Sequence, residues 1–155
     1  MSPRRFALRE HVSIRKSGIH GKGVFARKRI REGTRIVEYR GERITTAQAD
    51  ARYPEDFSVP YHTFLFALDD DWVVDAAHGG NLARWVNHSC DPNCEVVIDD
   101  GRLFIESIRP IVPGEELVYD YNFILPVRHT PSMKKRYPCE CGASSCRGTM
   151  LGRKR

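Results

Sequence analysis

The sequence predicts a mainly β domain (α+β with little helix), and three observations carry this. Short runs of β-branched and aromatic residues recur between Gly, Asp and Pro breakers, two such runs meet at Asp100-Gly101, and only one stretch has convincing helix signals. In chain order, GVFARKRI (23–30), TRIVEYRGERI (34–44), HTFLFALD (62–69) and WVVDA (72–76) read as strands. TTAQADARY opens a short helix, because Thr45 can cap it and Gln48 stands three residues later, as in a capping box. Residues 82–86 allow one helical turn. CEVVIDDGRLFIESI (94–108) is a hairpin whose turn is Asp100-Gly101, where Gly supplies the positive φ that two-residue turns need. EELVYDYNF (115–123) reads as the last strand, with Tyr119 and Tyr121 on one face and Asp120 on the other. ILPVRHTPSMKKRYP (124–138), with three prolines, reads as an irregular connection to a cysteine cluster.

At 155 residues the chain suits one core with a small appendage. The opening MSPRRFALREHV lacks the apolar stretch of a signal peptide, and no later segment approaches the ~20 apolar residues of a membrane span. An intracellular, reducing location without membrane attachment is expected, so the five cysteines read as thiols. The net charge of +5 is unevenly distributed. Through Arg43 there are 13 Lys/Arg against 4 Asp/Glu, from 44 to 127 there are 4 against 15, and from Arg128 there are 8 against 1. An acidic middle suits a cationic substrate, while the basic ends suit proximity to nucleic acid. No oligomeric state follows from these patterns.

CECGASSC places Cys139, Cys141 and Cys146 within eight residues. Alternation along an extended run puts Cys139 and Cys141 on one side, and Gly142 lets the chain turn so that Cys146 can return. Three thiolates at this spacing point to Zn2+, which wants a fourth ligand. Cys90, Cys94 and His88, all in RWVNHSCDPNC, are the candidates. That segment is too polar for a core strand and offers an amide, an imidazole, a hydroxyl, a thiol and a carboxylate in quick succession. SGIHGKGVFA has Gly18, Gly21 and Gly23, allowing close approach to a ligand, without the dinucleotide-binding spacing.

Taken in order, SGIHGKGVFA, VEYRGERIT, NLARWVNHSCDPNC, GEELVYDYNF and CECGASSC resemble SET-domain protein lysine methyltransferases with a post-SET zinc motif, in the trithorax-like branch. The resemblance runs from about Val12 to Thr149. It implies a SET fold of several small sheets with a C-terminal pseudoknot and a zinc-bound tail. The expected layout is an extension (1–11), the SET domain (12–125), then a linker and post-SET motif (126–155). The resemblance further implies S-adenosylmethionine as cofactor, with His20, Lys22, Gly23, Arg84, Asn87, His88 and Glu140 at its site. Tyr121, Tyr39 and Tyr119 would serve methyl transfer to a lysine, Tyr119 at the position that sets how many methyl groups are added. Cys90 becomes the fourth zinc ligand beside Cys139, Cys141 and Cys146, leaving Cys94 as a packed thiol.

Two departures are Phe64, where several relatives have a cofactor-facing tyrosine, and Trp85, where Phe is common. The implied substrate is a basic tail, histone or histone-like, chosen in part by residues 45–62. The implied location is the nucleus in a eukaryote, or the cytoplasm or a host nucleus for a bacterial chain. The competing reading is a non-catalytic, zinc-stapled module binding basic peptides near DNA. A small-molecule methyltransferase is a third. A pure binder has no evident need for Tyr39, Asn87, His88 and Tyr121 together.

Overall fold

The computed structural model describes residues 11–53, 65–122 and 128–152. Its strands are β1 (Val12–Lys16), β2 (Lys22–Ala26), β3 (Arg35–Glu38), β4 (Glu42–Thr45), β5 (Leu65–Ala67), β6 (Trp72–Asp75), β7 (Asn87–His88), β8 (Cys94–Asp99), β9 (Arg102–Ser107) and β10 (Val118–Tyr119). The helices are α1 (Thr46–Arg52) and α2 (Pro131–Arg136), with a 3₁₀ turn at Leu82–Trp85. The mainly β expectation holds. Three small sheets form, in the orders β1-β2, β3-β9-β8-β10-β7 and β4-β6-β5.

Local chemistry accounts for the clearest elements. Thr45 accepts from the Gln48 N–H at 3.1 Å while the Gln48 side chain accepts from the Thr45 N–H at 2.8 Å, completing the capping box. Asp100 and Gly101 have φ of 51° and 72°, the paired left-handed residues of a tight hairpin turn, and hold β8 and β9 in antiparallel register from Asp99↔Arg102 to Cys94↔Ser107.

The structure corrects or adds to the expected elements at four points. The connection at 124–138 contains α2: Pro131 stands in its first turn, where a missing N–H costs nothing, and the Thr130 hydroxyl accepts from Met133 N–H at 3.2 Å. β1 was not expected, and it pairs antiparallel with β2. The last strand is shorter than EELVYDYNF because its first half bonds elsewhere. Leu117 N–H donates to Val24 O at 2.7 Å and Glu116 bridges Phe25, so only Val118 and Tyr119 join the five-stranded sheet. RWVNHSCDPNC supplies the edge strand β7, and its polar residues His88, Ser89 and Asn93 are buried because each is hydrogen-bonded. The segments at 54–62 and Phe64 lie outside the described residues.

β10 enters between β7 and β8, parallel to both, with Val118 opposite Asn87 and Tyr119 opposite His88 and Cys94. This insertion brings the YDY segment against RWVNHSC. Beneath it lies the main core, in which Val24, Ile36, Val86, Leu103, Ile105, Ile111 and Leu117 are almost fully buried. Burying each such side chain contributes about 1.5–3 kcal/mol relative to exposure. A second, smaller cluster of Ile44, Ala49 and Val73, with Leu65 against it, joins α1 to the β4-β6-β5 sheet.

Candidate active site and metal centre

The β1–β2 connection is held by a side chain that the sequence did not single out. The Ser17 hydroxyl donates to Glu116 Oε1 and Oε2 at 2.8 and 2.9 Å, and accepts from Ile19 N–H at 2.9 Å. Asn87 Nδ2 lies 2.9 Å from Glu116 Oε2, and 3.0 Å from each of the carbonyl oxygens of His20 and Lys22. Glu116 and Asn87 thus clamp residues 17–22 to the edge of β7. Gly23 is explained by the same carboxylate, since a Cβ there would collide with the Glu116 side chain. Asn93 is also missed by the sequence reading: its buried amide donates to Glu116 O at 2.8 Å and accepts from Val118 N–H at 2.9 Å, stitching β10 into place.

Around this loop, Lys22 Nζ sits 5.0 Å and the Arg84 guanidinium 4.7 Å from the Trp85 ring centroid. Two cations against one indole make a site with a positive end and a flat apolar face. That combination fits an amino-acid carboxylate and an aromatic base, the two ends of S-adenosylmethionine. His20 and Glu140 are exposed, the latter between two of the cysteines.

The three tyrosines come together with Phe66. Tyr119 and Tyr121 ring centroids are 4.8 Å apart, Phe66 lies 6.3 Å from Tyr119, and Tyr39 lies 5.6 Å from Phe66. Tyr39 and Tyr119 are buried, and the Tyr121 hydroxyl donates to Val86 O. Burial, reinforced by the neighbouring Tyr121 and Tyr39, pushes the Tyr119 hydroxyl well above its ordinary value. Burial and the Glu116 charge do the same to Tyr121. Both phenols are therefore neutral hydrogen-bonding groups near pH 7, unsuited to act as bases. Phe66 was missed because an apolar ring in a strand carries no signal beyond packing.

His88 links this aromatic row to the cysteines. Its imidazole is buried, and its Nδ1 accepts from Tyr121 N–H at 3.0 Å. The proton therefore resides on Nε2, which is 3.4 Å from Cys90 Sγ and donates to it. Burial lowers the imidazole to about 4, the opposed influences of Asp120 and Arg147 being smaller, so it is neutral near pH 7.

Cys90, Cys139, Cys141 and Cys146 present sulfur atoms that all lie within 4.8 Å of one another. The Cys90–Cys139 separation of 3.7 Å is far beyond a disulfide bond and matches the edge of about 3.8 Å that a tetrahedron of sulfurs has around a zinc ion at ~2.3 Å. Gly142, at φ 72°, makes the turn that returns Cys146. At Cys141 burial opposes ionisation, but the N–H groups of Cys90 and Ala143 outweigh it and bring the thiol down to about 6. Burial pushes Cys90 and Cys139 up. A crowded group of thiols with one ready to ionise fits a bound cation that would ionise the rest. Cys94, 1% exposed and pushed up to about 12 by burial, is packed within the main core, apart from this cluster.

A family profile described as "SET domain" matches residues 21–122. The chain belongs to the SET domain family. It is 38% identical over 143 residues to histone-lysine N-methyltransferase trithorax of Drosophila virilis, covering 90% of this chain and 4% of that protein. It is 42% identical over 146 residues to histone-lysine N-methyltransferase trr of Drosophila melanogaster, covering 92% of this chain and 6% of the relative. Against human histone-lysine N-methyltransferase 2B it is 38% identical over 143 residues, 90% of this chain and 5% of the relative. The chain thus spans a small fraction of the length of the relatives it matches.

Proposed function

We propose that the chain transfers a methyl group from S-adenosylmethionine to the ε-amine of a protein lysine, in a histone or histone-like basic tail. The observation that carries this reading is the row Tyr39, Phe66, Tyr119 and Tyr121, which abuts the segment bearing Asn87 and His88. When bound, the cofactor supplies an electrophilic methyl on a positive sulfonium. Lys22 and Arg84 would receive its carboxylate and Trp85 would offer a flat face, residues 17–23 would line it through backbone, and Glu140 would approach it from the tail. The aromatic row does the rest. An incoming lysine has a pKa of about 10.4 in water, and stripping water from it in an aromatic channel favours the neutral amine that can attack. The neutral hydroxyls of Tyr121 and Tyr39 hydrogen-bond and orient the amine, and such alignment contributes roughly 7–11 kcal/mol towards a two-reactant barrier. The Tyr119 hydroxyl holds a water in the channel, where a second methyl would need room, so monomethylation is the expected product.

No helix among the described residues is long and apolar enough to cross a membrane. Action on histones would place the chain in a nucleus, with the basic ends near nucleic acid. The layout 12–125 for the SET domain and 126–155 for the linker and post-SET motif goes with this reading. Incubating the protein with labelled cofactor and a peptide array tests it. Label on lysine peptides alone supports transfer, binding without label supports the non-catalytic module, and label only on small molecules overturns both.

A further inference from the structure

Arg147 follows the last cysteine of the cluster and reaches in two directions. Its main-chain N–H donates to Cys90 Sγ at 3.3 Å, while Nη1 and Nη2 donate to Asp120 Oδ2 and Oδ1 at 2.6 and 3.0 Å. This is the two-pronged arginine–carboxylate geometry, which fixes orientation as well as distance and which lysine cannot reproduce. Both side chains are well sheltered, at 22% and 29% exposure. Asp120 stands between Tyr119 and Tyr121, and its Oδ1 also accepts from Asn122 N–H at 2.9 Å, closing a turn in which Asn122 has φ 48°. A second connection runs alongside, since the His88 ring joins Cys90 Sγ to the Tyr121 N–H. The Cys90 sulfur is therefore gripped by two groups whose other ends hold Asp120 and Tyr121.

We infer that the Arg147–Asp120 pair is a positioning clamp, coupling closure of the metal-bound tail to the placement of Tyr119 and Tyr121. Arg147 and Asp120 touch no reacting atom; they act through the strand between them. Because coupling between two sites is reciprocal, a change at Asp120 must be felt at the metal even though Asp120 contacts no cysteine. A purely local role for Asp120 would leave the metal untouched. The consequence for turnover rests on the proposed methyl transfer, and the consequence for the metal does not.

The test uses the zinc-loaded chain and a chromogenic chelator. Asp120→Asn, close in shape to the native residue, is expected to speed zinc release about fivefold or more. Arg147→Lys should do the same despite keeping the charge, and the double variant should be no worse than the more affected single one. Far-UV circular dichroism of each variant reports retention of the strands. On a lysine peptide, kcat should fall about tenfold in each variant with KM little changed. Zinc release from Asp120→Asn and Arg147→Lys at the parent rate overturns the clamp, whatever the peptide assay gives. Faster release together with a parent chain that methylates no peptide leaves the clamp standing and removes the proposed function instead.

Discussion

Two carboxylates, the buried Asp75 and the half-buried Glu116, organise two parts of this molecule in contrasting ways. Asp75 is fully buried and accepts from Arg52 Nη1 at 2.9 Å, Tyr53 OH at 2.8 Å and Ala77 N–H at 3.0 Å. Its partners pin α1 to β6, next to the Ile44–Ala49–Val73 cluster. Glu116 accepts from Ser17 and Asn87 and so pins a loop whose outer residues, His20, Gly21 and Lys22, remain exposed. The same chemistry closes one region and holds the other open. Where every partner of a carboxylate is spent inside the fold, its loss should cost stability. Where the clamped segment faces solvent, its loss should cost ligand binding.

The largest expected effect lies outside both networks and separates them from the chemistry. Tyr121→Phe should retain the fold and cofactor affinity while turnover drops by 10²–10³, about 2.7–4 kcal/mol, the cost of losing one preorganised polar group from a reacting site. Steady-state kinetics with a thermal melt checks this, and unimpaired turnover would remove Tyr121 from its role.

Next is Asp75→Asn, expected to lower stability by about 2–3 kcal/mol in a denaturant titration, with cofactor affinity unchanged. Burial alone would raise the Asp75 carboxyl, but Arg52, Tyr53 and the Ala77 N–H outweigh it and hold the group below the ordinary carboxylate range. A depressed folded value means that this stabilisation is fully present above about pH 4 and disappears as the pH falls through the folded value. The variant's stability should therefore fall less steeply than the parent's in that acid window.

Glu116→Gln should weaken cofactor binding about tenfold, or about 1.4 kcal/mol, by loosening residues 17–22, with a much smaller change in melting temperature. Calorimetry with the cofactor product reads the first and a thermal melt the second. If the two variants exchanged phenotypes, the contrast drawn between the networks would fail. Smallest is Gly101→Ala, about 1 kcal/mol in a denaturant titration, because φ of 72° is unfavourable for any residue with a Cβ. It should leave ligand binding alone.

The same contrast separates what could be read in the sequence from what could not. Features whose partners are close in the chain were legible: the Thr45–Gln48 capping box, the Asp100-Gly101 turn and the cysteine cluster, whose spacing alone called for a metal. α2 was lost because Pro131 reads as a breaker until Thr130 is seen to cap a helix in front of it. Glu116 was lost for a different reason. Its partners Ser17 and Asn87 lie 99 and 29 positions away, and nothing local distinguishes it from Glu115, which ends in an exposed pair with Arg109. Asn93 and Arg147 were visible only as neighbours of cysteines. The resemblance supplied the residues proposed to face the ligands, but the groups that hold those residues in place come from long-range pairing.

The account stands on methyl transfer to lysine, and the most direct measurement is mass spectrometry of a histone-tail peptide after incubation with the zinc-loaded protein and S-adenosylmethionine. The expected result is a single methyl on a lysine, present with the parent chain and nearly absent with Tyr121→Phe. A peptide that binds the protein yet gains no methyl, or gains it equally with Tyr121→Phe, would contradict the account.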